Sequence, residues 1–161
     1  MSNMGLAISS SMNIEGIKEL LENFDFGDRE LHKLARQGTL AVSAEVRKRI
    51  RRNAPVSPEP VWVGYRDKQK KMPGALKKAF KNKAKRPWPT LLRADVWVNK
   101  GSSRSDPKGA WYWHFVEHGT KRIDGKEFVE RSLKEVAPEA NRYFREKVLK
   151  AAIRAMERRA R

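Results

Sequence analysis

The sequence predicts an α+β domain in which an antiparallel sheet, built on a central long hairpin, is packed by a long helix from the N-terminal half and by a C-terminal helix. Three patterns carry this prediction. Apolar residues recur at helical spacing from Leu31 to Ile50 and again from Ala140 to Ala155. Between them, "TLLRADVWVN" alternates as a half-buried strand does. A length of 161 residues suits one domain, which we place at 13–161.

Two helices are expected in the N-terminal half, after a disordered N-terminus at 1–12. The first is short and amphipathic, with Asn13 as its N-cap and an apolar side formed by Ile14, Ile17, Leu20, Leu21 and Phe24. The second is long; it starts at the capping candidate Asp28 and stops before Pro55. Arginines fill its last turns, where the negative end of the helix dipole favours them.

The middle of the chain predicts a loop, a helix and a hairpin. Prolines and lysines exclude a continuous helix from about 56 to 73, which suggests a mobile loop with "VWVGY" as a candidate short strand. "GALKKAFKNKAK" is typical of a basic helix. The strand that follows places Leu92, Ala94, Val96 and Val98 on one face. The turn-rich "KGSSRSDPKG" then predicts that "AWYWHFVEH" returns as the second strand of the hairpin.

The C-terminal third predicts two more helices. "KEFVERSLKEV" forms a short one that Pro138 breaks. The last helix carries one apolar side, made of Ala140, Tyr143, Phe144, Val148, Ala151, Ala152 and Ala155.

Composition and charge narrow the classes of function. The chain has no cysteine, and it shows neither an export signal nor an apolar run long enough to span a membrane. Its net charge of +17 attracts nucleic acid, anionic lipid or acidic protein. The charge is uneven: residues 15–30 carry a net −4 and residues 66–86 a net +9, so acidic and basic patches of neighbouring copies can pair.

One short motif suggests metal chemistry. His114, Glu117 and His118 have the spacing of inverted zinc metallopeptidases, which requires a helix. On the predicted strand, the two imidazoles would lie ~13 Å apart, too far to share one ion. The sequence has no glycine-rich phosphate loop, no Gly-x-Ser-x-Gly elbow and no distinctive carboxylate pair. We therefore expect no metal, no cofactor and no catalysis.

The lysine-rich stretch from 68 to 86 has two interpretations. It is either a solvated face or a nucleic-acid groove with Trp88 as a stacking platform. The candidate basic patch, facing DNA or a partner protein, consists of Lys77, Lys78, Lys81, Lys83, Lys85 and Arg86.

"WYWHFVEHGT", followed by "EFVERSL", resembles the signature of the tail-completion or head-to-tail joining (neck, minor tail component) family of long-tailed bacteriophages, the gene-product-ten type of lambdoid phages. The matching positions are Val116, Glu117, Gly119, Thr120 and Phe128. "NAP" and "GALKKAF" upstream resemble family segments in the same order, so the resemblance spans about 28–155. The chain departs from the family at Glu127 and Arg131, where the family has proline, and in a longer stretch between Pro55 and Gly74.

The resemblance implies a structural virion protein that forms a ring at the tail–head junction. Its implied partners are further copies of itself, tail-tube or tail-terminator proteins and head-connector proteins, with nonspecific contact to genomic DNA in the lumen and none to a membrane. Its implied location is the virion, and the host cytoplasm during assembly. The alternative is a sequence-nonspecific nucleic-acid-binding protein that works as a monomer or dimer, supported by charge and tryptophan content.

The five matching residues form a turn motif and a candidate subunit interface. At the end of the predicted strand, Gly119 is expected to turn the chain with a positive φ, and Thr120 to hydrogen-bond the next backbone turn. Two roles stay open for Glu117. It either supports the turn within its own subunit, by pairing with a basic neighbour, or reaches across to the next subunit.

Overall fold

The computed structural model describes residues 21, 26–63, 69–84, 94–101, 106 and 108–161. Long helices and small antiparallel sheets alternate along the chain, which confirms the α+β class. The elements in chain order are α1 (Asp28–Asn53), β1 (Val61–Val63), β2 (Gln69–Lys71), α2 (Ala75–Ala79), β3 (Phe80–Ala84), β4 (Ala94–Val98), α3 (Trp113–His118), β5 (Gly119–Thr120), β6 (Ile123–Asp124), α4 (Phe128–Val136), a 3₁₀ turn (Ala137–Glu139) and α5 (Ala140–Arg159).

Helix α1 connects two clusters of buried residues. Its 26 residues begin and end as predicted, although Gly27 occupies the N-cap and Asp28 lies in the first turn. The first half of α1 packs against α5, in a cluster that contains Leu31, Leu34, Ala35, Val42, Phe144, Val148, Ala151 and Ala152. The second half packs against α2, β3, β4 and α4, in a cluster that contains Val46, Ile50, Leu76, Phe80, Val96, Phe128 and Val136.

A glycine in the middle of α1 permits the close approach of α5. A Cβ atom at Gly38 would lie 2.6 Å from the Phe144 ring and 2.8 Å from Val148. These distances are too short for carbon atoms, so the two helices can pack this closely only because residue 38 has no side chain.

Polar side chains join α1 to α4 beside the second cluster. The Glu135 carboxylate accepts hydrogen bonds from Arg52 at 2.7 Å, Asn53 at 3.0 Å and Arg49 at 3.3 Å. These contacts, with the Asn53 hydrogen bond first among them, hold the pKa of Glu135 below its ordinary value. The helix pair is therefore fixed by charge as well as by apolar contact.

The sheets among the described residues are antiparallel pairs, β1 with β2, β3 with β4, and β5 with β6. In the central pair, Phe80 lies opposite Val98 and Ala84 opposite Ala94. Ala94 and Val96 are buried as predicted, but Asp95 between them is also buried, so the alternation is not clean; Leu92 lies outside the described residues.

The predicted partner of β4 is wrong. Strand β4 pairs with β3, which precedes it, and not with residues 110–118. The predicted basic helix is correspondingly too long: α2 ends at Ala79, and Phe80 begins a strand with its ring fully buried. Burial of Phe80 against α4 and α3 outweighs the helical propensity of the lysines around it.

The segment predicted as the second strand is also different, because residues 113–118 form helix α3. The chain does return to the end of β4, where the Ala110 N–H donates to the Asn99 carbonyl at 2.8 Å, and then it turns. Trp113, Val116 and Glu117 face inward at the spacing of one helix face, and Phe115 faces outward. Because helix α3 carries apolar residues on both its inner and its outer face, its sequence has the composition of a strand.

The C-terminal predictions are confirmed, since α4 ends at a 3₁₀ turn that contains Pro138 and α5 buries the predicted side. Strands β1 and β2 lie within the stretch predicted as a loop, and β1 coincides with the candidate strand. The predicted first helix and the N-terminus at 1–12 lie outside the described residues, except for Leu21, which is buried beside α1. Within the described part of the chain, no helix is long and apolar enough to cross a membrane.

Candidate protein-docking groove

A groove of about 690 Å³ is lined by most of the exposed large apolar side chains that the structure describes. Of the nine described large apolar side chains that are exposed, six line it: Val56, Val61, Trp62, Met72, Phe115 and Ile123. Three of them are more than half exposed, Trp62 at 64%, Met72 at 63% and Ile123 at 62%. We call this surface the apolar groove. Exposed apolar residues scattered singly are ordinary, but a contiguous group indicates a binding surface.

Three parts of the chain form the walls of the apolar groove. The β1–β2 hairpin and the residues that follow α1 form one wall, which carries Trp62 and Met72. Helix α3 forms the opposite wall with Phe115, whose ring packs edge-on against Trp111 with centroids 6.3 Å apart. The β5–β6 turn closes one end with Ile123. Leu76 and Val116 line the groove and also pack in the second core cluster, so the floor of the groove continues into the core.

A buried lysine links two walls of the apolar groove by hydrogen bonds. Lys71 on β2 is only 1% exposed, and its Nζ donates to the carbonyl oxygens of Asp106 at 2.7 Å and Gly109 at 2.9 Å. Burial lowers the pKa of Lys71, and the nearby Asp106 opposes that shift. These bonds attach the β1–β2 hairpin to the segment that leads into α3, so they hold one wall of the groove against the other.

The turn-motif residues meet at the junction of α3 and α4. Glu117 is 3% exposed, and its carboxylate oxygens accept hydrogen bonds from the backbone N–H groups of Val129 at 2.9 Å and Glu130 at 3.0 Å. It therefore caps the N-terminus of α4, where a negative charge is also favoured by the helix dipole. Phe128 is fully buried below it and packs edge-on against Phe80 with centroids 5.8 Å apart.

This geometry gives Glu117 a role inside its own subunit. The partner of its carboxylate is the backbone of α4, and not the basic side chain that the sequence suggested. The backbone adds to the junction, because the carbonyl of Val116 accepts from Lys126 at 2.9 Å and that of Glu117 from Glu127 at 3.0 Å.

Gly119 has the positive φ that the sequence predicts, with φ 80° and ψ −174°. A Cβ atom there would lie 2.6 Å from both Ile123 O and Gly125 N, so the turn has no room for a side chain. The predicted Thr120 contact is also present, since its Oγ1 accepts from the Arg122 N–H at 3.3 Å. Val116 and Thr120 both line the apolar groove.

Glu127, where the resembled signature has proline, adopts an unusual backbone conformation. Glu127 adopts φ 44° and ψ 32°, a left-handed conformation. A proline ring fixes φ near −65°, so proline cannot replace Glu127 in this conformation. The entry into α4 therefore differs from the turn that a proline would make.

The predicted distance between His114 and His118 is wrong, because residues 113–118 form helix α3 and not a strand. His114 and His118 lie one helical turn apart and both are exposed, rather than ~13 Å apart on a strand. Glu117 points away from them into the cap of α4. Across the part of the chain that the structure describes, no three His, Cys, Asp or Glu side chains come together to hold a metal ion.

The candidate basic patch is described in part. Lys77 and Lys78 lie on α2, and Lys81 and Lys83 lie on β3; Lys85, Arg86 and Trp88 fall outside the described residues. Lys81 lies over the ring of Trp97 on β4, with its Nζ 5.8 Å from the ring centroid. An exposed tryptophan therefore accompanies these lysines, although it is not the one that the sequence suggested.

Sequence reasoning missed the apolar groove. Its signal was faint: Trp62 and Met72 stand among prolines and lysines, in a stretch with the composition of a solvated loop. Lys71 gave no signal, because nothing in a basic stretch distinguishes a buried lysine from its exposed neighbours. Comparisons of the chain with protein-family models, curated proteins and solved structures found no match.

Proposed function

We propose that this chain is a non-enzymatic structural protein of a tailed-phage virion, a tail-completion or head–tail connector component that forms a ring at the tail–head junction. The observation that carries the proposal is the apolar groove, two of whose lining residues, Val116 and Thr120, belong to the motif that resembles the tail-completion family. The phage assignment itself depends on that resemblance.

The composition of the groove supports a protein partner. Trp62, Met72 and Phe115 are of the residue types that are enriched at the centres of protein interfaces, where buried aromatic anchors provide most of the binding energy. Leaving them in water is unfavourable, at about 25 cal/mol for each Å² of apolar surface. A subunit that is completed by its neighbours recovers this free energy on assembly.

A ring requires a contact between two different patches, and acidic residues lie at the opposite end of α1 from the groove. Of the acidic stretch, residues 15–30, Asp28 and Glu30 lie in the first turn of α1, whereas the groove begins at Pro55, beyond the C-terminal end of that helix. A helix of 26 residues separates the two by about 39 Å. Lys70 and Lys126, exposed at or beside the groove, complement an acidic neighbour.

The experiment that tests this function is complementation. With the gene inactivated in its parent genome, we expect electron micrographs to show heads and tails that fail to join, and the wild-type chain to restore joining. Trp62→Ser and Phe115→Ser are expected to fold with unchanged melting temperature and not to restore it. Ile153→Ser, which removes an exposed apolar side chain on α5 outside the groove, should restore it. Complete particles in the absence of the chain would refute the proposal.

The second candidate is a nucleic-acid-binding protein that acts as a monomer or dimer, and the net charge of +17 favours it. The two candidate functions differ in how binding depends on salt concentration. Affinity for duplex DNA falls with a log–log slope of about −0.9 per phosphate contact, whereas an assembly that is closed by an apolar groove tolerates moderate salt.

A further inference from the structure

Three lysines from separate parts of the chain converge on a second, smaller cavity. Lys78 on α2, Lys81 on β3 and Lys108 in the segment before α3 line a cavity of about 330 Å³, together with Asn99. Lys78 and Lys108 are 30 positions apart, so the fold and not the local sequence brings them together. We call these three residues the lysine site.

No acidic side chain among the described residues forms a salt bridge with the lysine site. Basic residues elsewhere do have such partners, as in Lys134 with Glu130 at 2.7 Å and Arg142 with Glu139 at 2.8 Å. Three ammonium groups around one cavity repel one another, and an anion in the cavity would relieve that repulsion.

An aromatic ring stands beside the lysine site. Trp97 is the direct antiparallel partner of Lys81, and 39% of it is exposed. The ring and the Lys81 ammonium lie in cation–π contact, so the charge and the aromatic surface are adjacent. Proteins that bind single-stranded nucleic acid without sequence preference combine these two features, positive charge for the phosphates and an aromatic face for the bases.

We propose that the lysine site binds the phosphodiester backbone of nucleic acid, and that Trp97 stacks on a base of an unpaired strand. Ammonium groups contact phosphates as point charges, so the binding is independent of sequence. The cavity borders the apolar groove and shares Met72 with it, but Lys78, Lys81, Lys108 and Trp97 are not among the residues that line the groove, so the two sites can be tested with separate variants.

The test measures the binding of the purified chain to a fluorescent single-stranded DNA of about 16 nucleotides, by anisotropy over a range of salt concentrations. The site variant is Lys78→Gln, Lys81→Gln and Lys108→Gln. The matched control is Lys147→Gln, Lys150→Gln and Arg154→Gln on α5, which are also exposed. Each variant lowers the net charge from +17 by three, to +14.

We expect the site variant to bind with a log–log salt slope shallower by about 2, since each lost contact to a single strand removes about 0.7. The control should keep the wild-type slope. Trp97→Leu should lower the affinity for the single strand at least about fivefold, and Trp97→Phe, which keeps an aromatic ring, should retain most of it. Melting temperatures of all variants show that they are folded.

Equal losses in the two charge-matched variants would overturn the proposal, because binding would then follow net charge alone. Binding of polyglutamate with the same affinity as single-stranded DNA would also overturn the proposal, if it depended on the same lysines and not on Trp97. That result would indicate an acidic protein partner. Neither outcome bears on the complementation experiment with the groove variants, so the two proposals can fail separately.

Discussion

At the scale of single residues, the most informative side chain is Glu117, because the sequence left two roles open for it. A carboxylate that is 3% exposed and accepts two backbone N–H groups holds the first turn of α4 in place. The motif therefore supports the fold at Glu117, Gly119 and Phe128, and it reaches the surface of the groove at Val116 and Thr120.

Replacing Glu117 with glutamine tests this role. Glutamine keeps the shape, but only its carbonyl oxygen accepts hydrogen bonds, so one N–H of α4 loses its partner and the helix dipole loses its countercharge. We expect Glu117→Gln to lower the free energy of unfolding by about 1–2 kcal/mol. Glu157→Gln, at an exposed position on α5, should change it by less than about 0.5 kcal/mol. Equal denaturant midpoints would show that the cap contributes nothing.

Lys71 and Lys70 are neighbours in sequence with opposite surroundings, one buried and one exposed. In Lys71→Met, the apolar stem stays but the carbonyls of Asp106 and Gly109 lose their donor. We expect a loss of about 1–3 kcal/mol in the free energy of unfolding. Lys70→Met should melt like the wild type, and if the two variants melt together, the bonds of Lys71 do not hold the walls of the groove.

At the scale of elements, the link between α1 and α4 depends on pH. The pKa of Glu135 is lower in the folded chain than its ordinary 4.5, so its contribution to stability is present above that value. It is lost as the pH falls through the folded pKa. We expect Glu135→Gln to melt below the wild type at neutral pH and the two melting temperatures to converge in acid. A constant difference across the pH range would contradict this assignment.

The elements that the sequence predicts correctly are those whose pattern matches their surroundings. Helices α1 and α5 each bury one continuous side, and the apolar residues Ala94 and Val96 of β4 are buried two positions apart, although Asp95 between them is buried as well, so their periods are legible in the sequence. Helix α3 is too short to show a period, and it is apolar on both faces because Phe115 serves the groove. Strand β3 could not be recognised from the sequence, because it is rich in lysine and Phe80 is its only large apolar residue.

The candidate site was less predictable than the fold for the same reason. Gly119 and Thr120 could be interpreted from the sequence, because a positive φ and a hydroxyl turn are local requirements. The apolar groove and the lysine site are made by residues that are distant along the chain, such as Trp62 with Phe115 and Lys78 with Lys108. No local pattern records such pairs.

At the scale of the whole molecule, α1 separates two ends of different chemistry. The first turn of α1, beside the first core cluster, carries the acidic residues Asp28 and Glu30, and the apolar groove lies beyond its C-terminal end, beside the second cluster. This polarity suits a contact that repeats from one subunit to the next. A net charge of +17 opposes self-association in solution, so assembly should be weak until neighbouring proteins raise the local concentration.

The measurement that tests the groove most directly is hydroxyl-radical footprinting of the chain, free in solution and within assembled particles. Trp62, Met72 and Phe115 are accessible in the isolated subunit and should lose most of their reactivity in the particle, whereas Met156 on α5 is exposed, lies outside the groove and the lysine site, and reports any general loss. Protection of these three residues beyond that of Met156 is the predicted result. Reactivity in the particle as high as in the free chain would show that the apolar groove is not where this protein binds its neighbours.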